Sequence, residues 1–190
     1  MTPNEQAEIV LAMTDNQNCA NNAQYTLTAR VLHWATAVLV LLQIPGGLSI
    51  ANFDMGPLYN LHKSAGVLIL ALVFIRLAWR WKHPAPALPD DITEVQRRAA
   101  TIMHWALYGL LLIQTILGWV GTSAYPAPIP FFGLFELPKI WWEDRRLSNQ
   151  LMVAHLWIGV LLALLLVGHI GAAFYHHFIR RDQILLRMSG

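Results

Sequence analysis

The stretch SNQLMVAHLWIGVLLALLLVGHIGAAFYHH, residues 148–177, decides the fold. It is almost wholly apolar, yet it holds His155 and His169 fourteen positions apart. A helix rising about 1.5 Å per residue separates the two rings by about 21 Å along its axis. Fourteen steps of about 100° leave them only about 40° apart around it, so both lie on nearly one face. Ionisable side chains at membrane depth are costly and are kept mainly where they form a site. Two on one face, near opposite surfaces of a bilayer, point to two sites stacked across it.

The rest of the chain fits a bilayer. It is 56% hydrophobic and only 13% charged, with a mean hydropathy of +0.44, outside the usual composition of soluble domains. Apolar spans at about 29–50, 58–81, 100–122 and 150–175 are each long enough to cross a hydrocarbon core of about 30 Å. Pro45 is expected to kink the first near its end. Short connections between four such spans predict an all-α membrane protein, a four-helix up-down bundle. No internal repeat or second domain is visible. Residues 1–24 lack a signal-peptide pattern and read as a flexible polar leader, leaving 25–190 as the helical domain. The single cysteine, Cys19, excludes an internal disulfide and an all-cysteine metal site, and no C-x-x-C-H occurs for covalent haem. A net charge of +2 without a basic patch argues against nucleic acid as a partner.

Arg30, Arg76, Arg80, Lys82, Arg97, Arg98, Arg180, Arg181 and Arg187 collect on one side of the predicted bundle. The other side has Lys63, Lys139, Arg145 and Arg146, diluted by Asp54, Glu136, Glu143 and Asp144. The positive-inside rule then places both termini in the cytoplasm. Two connections stand out. The proline-rich linker after Trp81 ends one helix and caps the next, with Asp90, Asp91 or Thr93 as candidate N-caps. The outer loop, 123–148, carries Phe131, Phe132, Trp141 and Trp142 among prolines. These aromatics are expected mainly as an interfacial belt, the alternative being a lid over an outer site.

Depth sorts the histidines. His33, His104 and His169 fall near the cytoplasmic side, His62 and His155 near the outer side, and His176 and His177 at the cytoplasmic exit. Pairing His33 with His169 and His62 with His155 brings imidazoles from two helices to each of two levels, as a six-coordinate haem requires. One buried histidine is more often a packing residue, but four at matched depths weaken that reading. Two per level, with no acid or cysteine nearby in the spans, are too few for zinc. His104 competes with His33 at the inner level; the ligand role goes to His33, and His104 is expected to touch a propionate or quinone. Gly46, Gly47, Gly66, Gly118, Gly121, Gly159 and Gly168 leave room for a flat macrocycle, or simply let helices pack closely. Arg76, fourteen residues after His62, has no acidic partner in the spans, so it either binds a haem propionate or snorkels.

Against this background the chain resembles the bacterial cytochrome b561 family of dihaem membrane proteins. The resemblance rests on His33–Trp34, the LHKSAG run containing His62, HWALYGLL from His104, the His155/His169 spacing and the tail HHFIRRDQILLRM from His176. It covers nearly everything from Tyr25 onward; the polar leader and the outer loop depart from it. The resemblance implies a multi-pass protein of the bacterial inner membrane, with two non-covalent b haems held from helices one, two and four. The standalone members most similar to this chain are superoxide oxidases, which pass electrons from superoxide outside to ubiquinone. On that reading Lys63, Arg145 and Arg146, with Lys139, draw the superoxide anion. Quinone is then expected near Thr26, Arg30, His104, His176 or His177, where a histidine can deliver a proton. The alternatives are an electron-carrying subunit for a partner dehydrogenase or respiratory complex and, outside redox chemistry, a membrane bundle that holds lipid contacts and no cofactor.

Overall fold

A computed structural model describes residues 5, 6, 8, 24–53, 56–88 and 92–190. The expected leader lies outside these apart from positions 5, 6, 8 and 24, as do Asp54, Asp90 and Asp91. Four long helices make the bundle: α1 (Leu27–Asn52), α2 (Gly56–Lys82), α3 (Glu94–Ser123) and α4 (Arg145–Phe174). A wider π-helical turn (Tyr175–Arg180) extends α4, and the chain ends in a short α5 (Leu186–Ser189). All four long helices are apolar and long enough to span a membrane. Successive helices pack against one another. The bundle is the up-down arrangement that the short connections predict.

Each helix runs past its apolar span because the flanking residues cap it. Thr93, one of the three cap candidates, accepts from Gln96 N–H at 3.3 Å, and Gln96 Oε1 returns to Thr93 N–H at 3.2 Å, a capping box that starts α3 at Glu94. Asp144 caps α4 by accepting from Leu147 N–H at 3.0 Å. Pro45 does not end α1, which continues to Asn52, with the Ser49 hydroxyl donating back to the Pro45 carbonyl at 2.8 Å.

The buried apolar cluster, Val40, Ile69, Val73, Tyr108, Leu111 and Leu162, draws on all four helices. In sequence Leu162 falls midway between His155 and His169, so this core is the spacer between the two histidine depths. The outward faces are apolar as well: Leu42, Leu164 and Val167 are 66%, 65% and 71% exposed. Such large apolar surfaces are solvated by lipid tails, not water.

One end of the bundle, here the hairpin end, is covered by the loop between α3 and α4. The loop is not all irregular, for β1 (Pro130–Phe131) and β2 (Phe135–Glu136) pair as a minimal antiparallel hairpin. Phe132 and Gly133 turn the chain at φ 49° and 74°, and Leu134 N–H closes the turn on the Phe131 carbonyl at 2.9 Å. The hairpin is fastened to α2 by Ser64, which is almost fully buried. Its oxygen lies 2.9 Å from the Pro130 carbonyl and accepts the Phe132 N–H at 2.9 Å. Lys63 Nζ donates to the Pro128 carbonyl at 2.9 Å. The sequence pattern did not anticipate this hairpin, since two-residue strands leave no period to read.

At the opposite, terminal end the C-terminal tail ties the helices together. Tyr25 N–H donates to the Arg187 carbonyl at 3.1 Å, Trp34 Nε1 to the Met188 carbonyl at 3.1 Å and Arg30 to the Ser189 carbonyl at 2.8 Å. Arg187 is buried and donates to the Ala87 carbonyl in the linker at 2.8 Å.

The Ser64 contact generates a prediction. Ser64→Ala leaves the Phe132 N–H without its acceptor, at a cost of about 1–3 kcal/mol. The expected result is a lower melting temperature in detergent and protease cleavage within residues 128–137. Unchanged melting and protection would show that the hairpin is held elsewhere.

Candidate functional site

The two histidine depths expected from the sequence are two clusters in space. At the hairpin end the His62 (α2) and His155 (α4) rings stand nearly perpendicular, at 76°, with centroids 6.1 Å apart. At the terminal end His33 (α1) and His169 (α4) stand 6.4 Å apart. Metal–imidazole bonds are about 2.0–2.1 Å long and the ligating nitrogen lies about 1.1 Å from its ring centroid, so two trans imidazoles on one metal ion have centroids about 6.3 Å apart. Both pairs fit that spacing. His104 is 5.3 Å from His169, too close for it.

The hairpin-end level has the further features of a cofactor cradle. His155 Nδ1–H donates to the Gln114 carbonyl at 3.0 Å, which fixes the tautomer and leaves Nε2 with a free lone pair. His62 Nδ1 and Gln114 Oε1 are buried and have no hydrogen-bond partner. Groups of this kind cost stability unless something satisfies them. Beside the rings lies a cavity of about 760 Å³, lined from all four helices and by Ile129 of the loop, within the roughly 300–1,000 Å³ usual for ligand sites. Its lining includes His62, His155, Gly66, Gly159, Gln43 and Gln114.

The glycines there separate into two groups. A methyl on Gly47 would stand 2.9 Å from His62 Cε1, and one on Gly118 3.1 Å from His155 Cε1, so each histidine lies against a glycine of the adjacent helix. By contrast a methyl on Gly121 would strike Met152 and one on Gly46 would meet nothing. Gly121 serves helix packing, and Gly47 and Gly118 make room for rings. Gln43 Nε2 donates to the His62 carbonyl at 2.8 Å and so braces the backbone that carries this ring.

The terminal-end level is more crowded. Arg76 donates to His33 Nδ1 at 3.1 Å and lies 5.2 Å over the Tyr108 ring. It points into the bundle instead of snorkelling, and among the described residues no carboxylate lies within ion-pair distance of it. A guanidinium can only donate, so His33 has its proton on Nε2 in this arrangement. Ligation through Nε2 requires the opposite tautomer, with Arg76 turned to another acceptor. His104 Nδ1–H donates to the Ala100 carbonyl at 2.6 Å, the local partner of a packed helix histidine.

The remaining residues singled out by sequence are dispersed. Thr26 caps α1 and accepts from Trp79 Nε1 at 3.0 Å, while Arg30 is held by the tail. His176 pairs with Asp182 at 2.5 Å, and the His177 ring packs edge-on to Phe178. At the other end, Lys63 lies 4.6 Å over the Tyr59 ring and lines the cavity. Arg145 reaches over the Tyr125 ring at 5.7 Å, Arg146 is exposed, and Lys139 is paired with Glu143 at 3.0 Å. Ile129 of the loop is buried and also lines the cavity, as a lid residue would, whereas Trp142 is 69% and Leu134 77% exposed, as a belt would be. Each reading therefore holds for part of the loop. Sequence reasoning passed over Gln43, Gln114, Ser64 and Asp182. The two glutamines had a signal, since an amide inside an apolar span needs a reason.

Comparisons with known proteins agree with this architecture. The pattern of the prokaryotic cytochrome b561 family matches residues 24–190. Cytochrome b561 homolog 2 of Escherichia coli (strain K12) is 31% identical over 174 residues, 88% of this chain and 92% of that protein. Cytochrome b561 homolog 1 of the same organism is 25% identical, over 87% and 96% of the two chains. A probable superoxide oxidase, CybB of Yersinia pestis, is 25% identical over 83% and 90%. The histidine-bearing four-helix bundle thus belongs to the prokaryotic cytochrome b561 family, membrane proteins of transmembrane electron transfer for which b haem binding is implied.

Proposed function

We propose that this chain is a superoxide:ubiquinone oxidoreductase that moves electrons through two b haems, one at each histidine level. The observation that carries this reading is the ring spacing, 6.1 Å and 6.4 Å at two depths of one bundle. His62 and His155 would hold one haem, His33 and His169 the other, and a b haem supplies one-electron exchange at its iron. Gln114 keeps His155 in the ligating tautomer through its main-chain carbonyl. Arg76 would exchange His33 for a propionate carboxylate, a better acceptor for a guanidinium, and so release His33 for ligation. The apolar core between the levels excludes water and holds them at fixed separation.

The hairpin end would face the periplasm, leaving both termini and most of the arginines in the cytoplasm. Lys63, Arg145 and Arg146 then lie on the side where superoxide is generated outside the cell membrane, and draw it by charge. Lys139 adds less, because Glu143 offsets it. Quinone would be reduced at the terminal end, with Thr26, Arg30, His104 and His177 as neighbours and His176 as proton donor. The second reading, a carrier subunit serving a partner dehydrogenase, is favoured by one observation. Exposed Leu134, Phe135 and Trp142 offer apolar area at the hairpin end.

Two predictions test these assignments. Purified protein is expected to carry two acid-extractable b haems per chain, low-spin in both redox states. His62→Ala or His155→Ala should remove or convert one of them, and His33→Ala or His169→Ala the other. One haem per chain would defeat the pairing. Loss of the terminal-end haem on His104→Ala, with His33→Ala still low-spin, would transfer the ligand role to His104.

The second concerns the donor. Superoxide steered by charge should reduce the haems more slowly as salt rises, since screening lengths shrink from about 30 Å at 0.01 M to about 10 Å at 0.1 M. Replacing Arg145 and Arg146 by Gln should slow that reduction several-fold at low salt and flatten its salt dependence. If a protein partner is the donor instead, superoxide reduces the haems slowly whatever these charges are, and Trp142→Ala impairs reduction by the partner.

A further inference from the structure

Beyond the π turn the chain doubles back in a way that serves one contact. Arg181 adopts φ 55°, a left-handed conformation that strains a non-glycine residue. That turn brings Asp182 back onto His176, with Nδ1 2.5 Å from Oδ2. Both side chains are largely buried, 14% and 11% exposed. The other carboxylate oxygen, Oδ1, accepts the Ile184 N–H at 3.1 Å. Arg180 approaches Oδ2 at 3.5 Å and donates to Gln96 Oε1 of α3 at 3.1 Å. The carboxylate is thus held from two sides, by the Ile184 N–H and by Arg180, besides its contact with the ring. π turns and strained residues concentrate at functional sites.

We propose that Asp182 is the positioning residue that holds His176 as proton donor to the quinone, an inference that rests on the quinone reading above. A carboxylate that accepts from Nδ1–H sets the ring's orientation and leaves Nε2 as the nitrogen that exchanges protons. The balance is two superoxide anions, one quinone and two protons giving two dioxygen molecules and one quinol. Each superoxide loses one electron, which crosses the chain to the quinone. At the terminal end the Nε2–H bond of His176 breaks as an O–H bond forms on a quinone oxygen. His176 then takes a proton from the solution on that side and repeats the transfer to the second oxygen. His177 packs on Phe178, and among the described residues no carboxylate lies within ion-pair distance of its ring, so it is not assigned this role.

Single-turnover reoxidation of the holoprotein tests this. The haems are first reduced with dithionite and then mixed with a short-chain ubiquinone, so the identity of the physiological donor does not enter. Asp182→Asn keeps an oxygen for the Ile184 N–H and removes the carboxylate. It should lower the saturating rate about tenfold or more, within the range of general-acid effects. The half-saturating quinone concentration should stay within about twofold, with haem content and spectra unchanged. His176→Ala should lose as much or more, and the double variant no more than His176→Ala alone, because Asp182 acts only through that ring. Additive losses, or an Asp182→Asn rate equal to the parent, would overturn the proposal while leaving quinone reduction intact. If Asp182→Asn loses haem, Asp182→Ser, which also retains an acceptor, takes its place in the cycle. A parent protein that quinone does not reoxidise would overturn the quinone reading itself, and this inference with it.

Discussion

An imidazole inside an apolar helix must find a partner, and every distinctive feature of this bundle follows from how five of them do so. Water is not there to satisfy a ring nitrogen, and an unpaired one costs free energy. His155 and His104 spend Nδ1 on main-chain carbonyls, His33 faces Arg76, and His62 is left with a buried, unsatisfied Nδ1. What remains in each pair is two rings inclined to one another, by 58° and 76°, at the centroid separation expected of two ligands on one ion. Glycines stand opposite the rings at the hairpin end because any larger side chain would close that gap.

The two ends of the bundle are closed by different means. The hairpin end is covered by a loop fastened by side chains of two helices: Ser64 and Lys63 of α2 hold its first half, and Trp119 and Ser123 of α3 hold its second half at Pro138 and Ile140. The terminal end is stitched by main-chain and side-chain bonds from the last residues of the chain to α1 and to the linker before α3. Ile129 of the hairpin-end loop lines the cavity, and so does Lys63, whose ammonium donates to the Pro128 carbonyl, so this fastening adjoins the cavity directly.

Much of this was readable from sequence because it depends only on arithmetic. Helix rise fixes depth, so the His33/His169 and His62/His155 pairing needed no coordinates, and helical repeat put His155 and His169 on one face. From sequence the ligand role goes to His33 over His104 without a geometric reason for it. The two rings differ by about 1 Å in their separation from His169, 6.4 Å against 5.3 Å, which no periodicity encodes. The hairpin, the Ser64 fastening and the His176–Asp182 pair escaped for a related reason. Each joins residues through loop geometry, by positive φ at Phe132, Gly133 and Arg181, and two of those three are residue types that seldom adopt it. Arg76 was recognised as a cation lacking an acid, but its resting partner, a histidine ring, reverses the usual expectation that a guanidinium seeks charge.

The cations of the hairpin end are not equivalent, and their local structure explains why. Lys139 is offset by Glu143 one turn away, and Lys63 is committed to a carbonyl and a tyrosine face. Arg145 and Arg146 open α4, where the helix dipole is already positive and a cation is disfavoured by about 0.3–1 kcal/mol. Reversing their charge would relieve that repulsion and stabilise the helix start. Two arginines at the unfavourable terminus instead add to the dipole, while the Asp144 carboxylate that caps the helix beside them offsets part of that field. Such an arrangement lowers stability and raises the attraction for a small anion at the same place. The cost and the attraction have one source, the cations placed at the start of the helix that carries two of the proposed haem ligands.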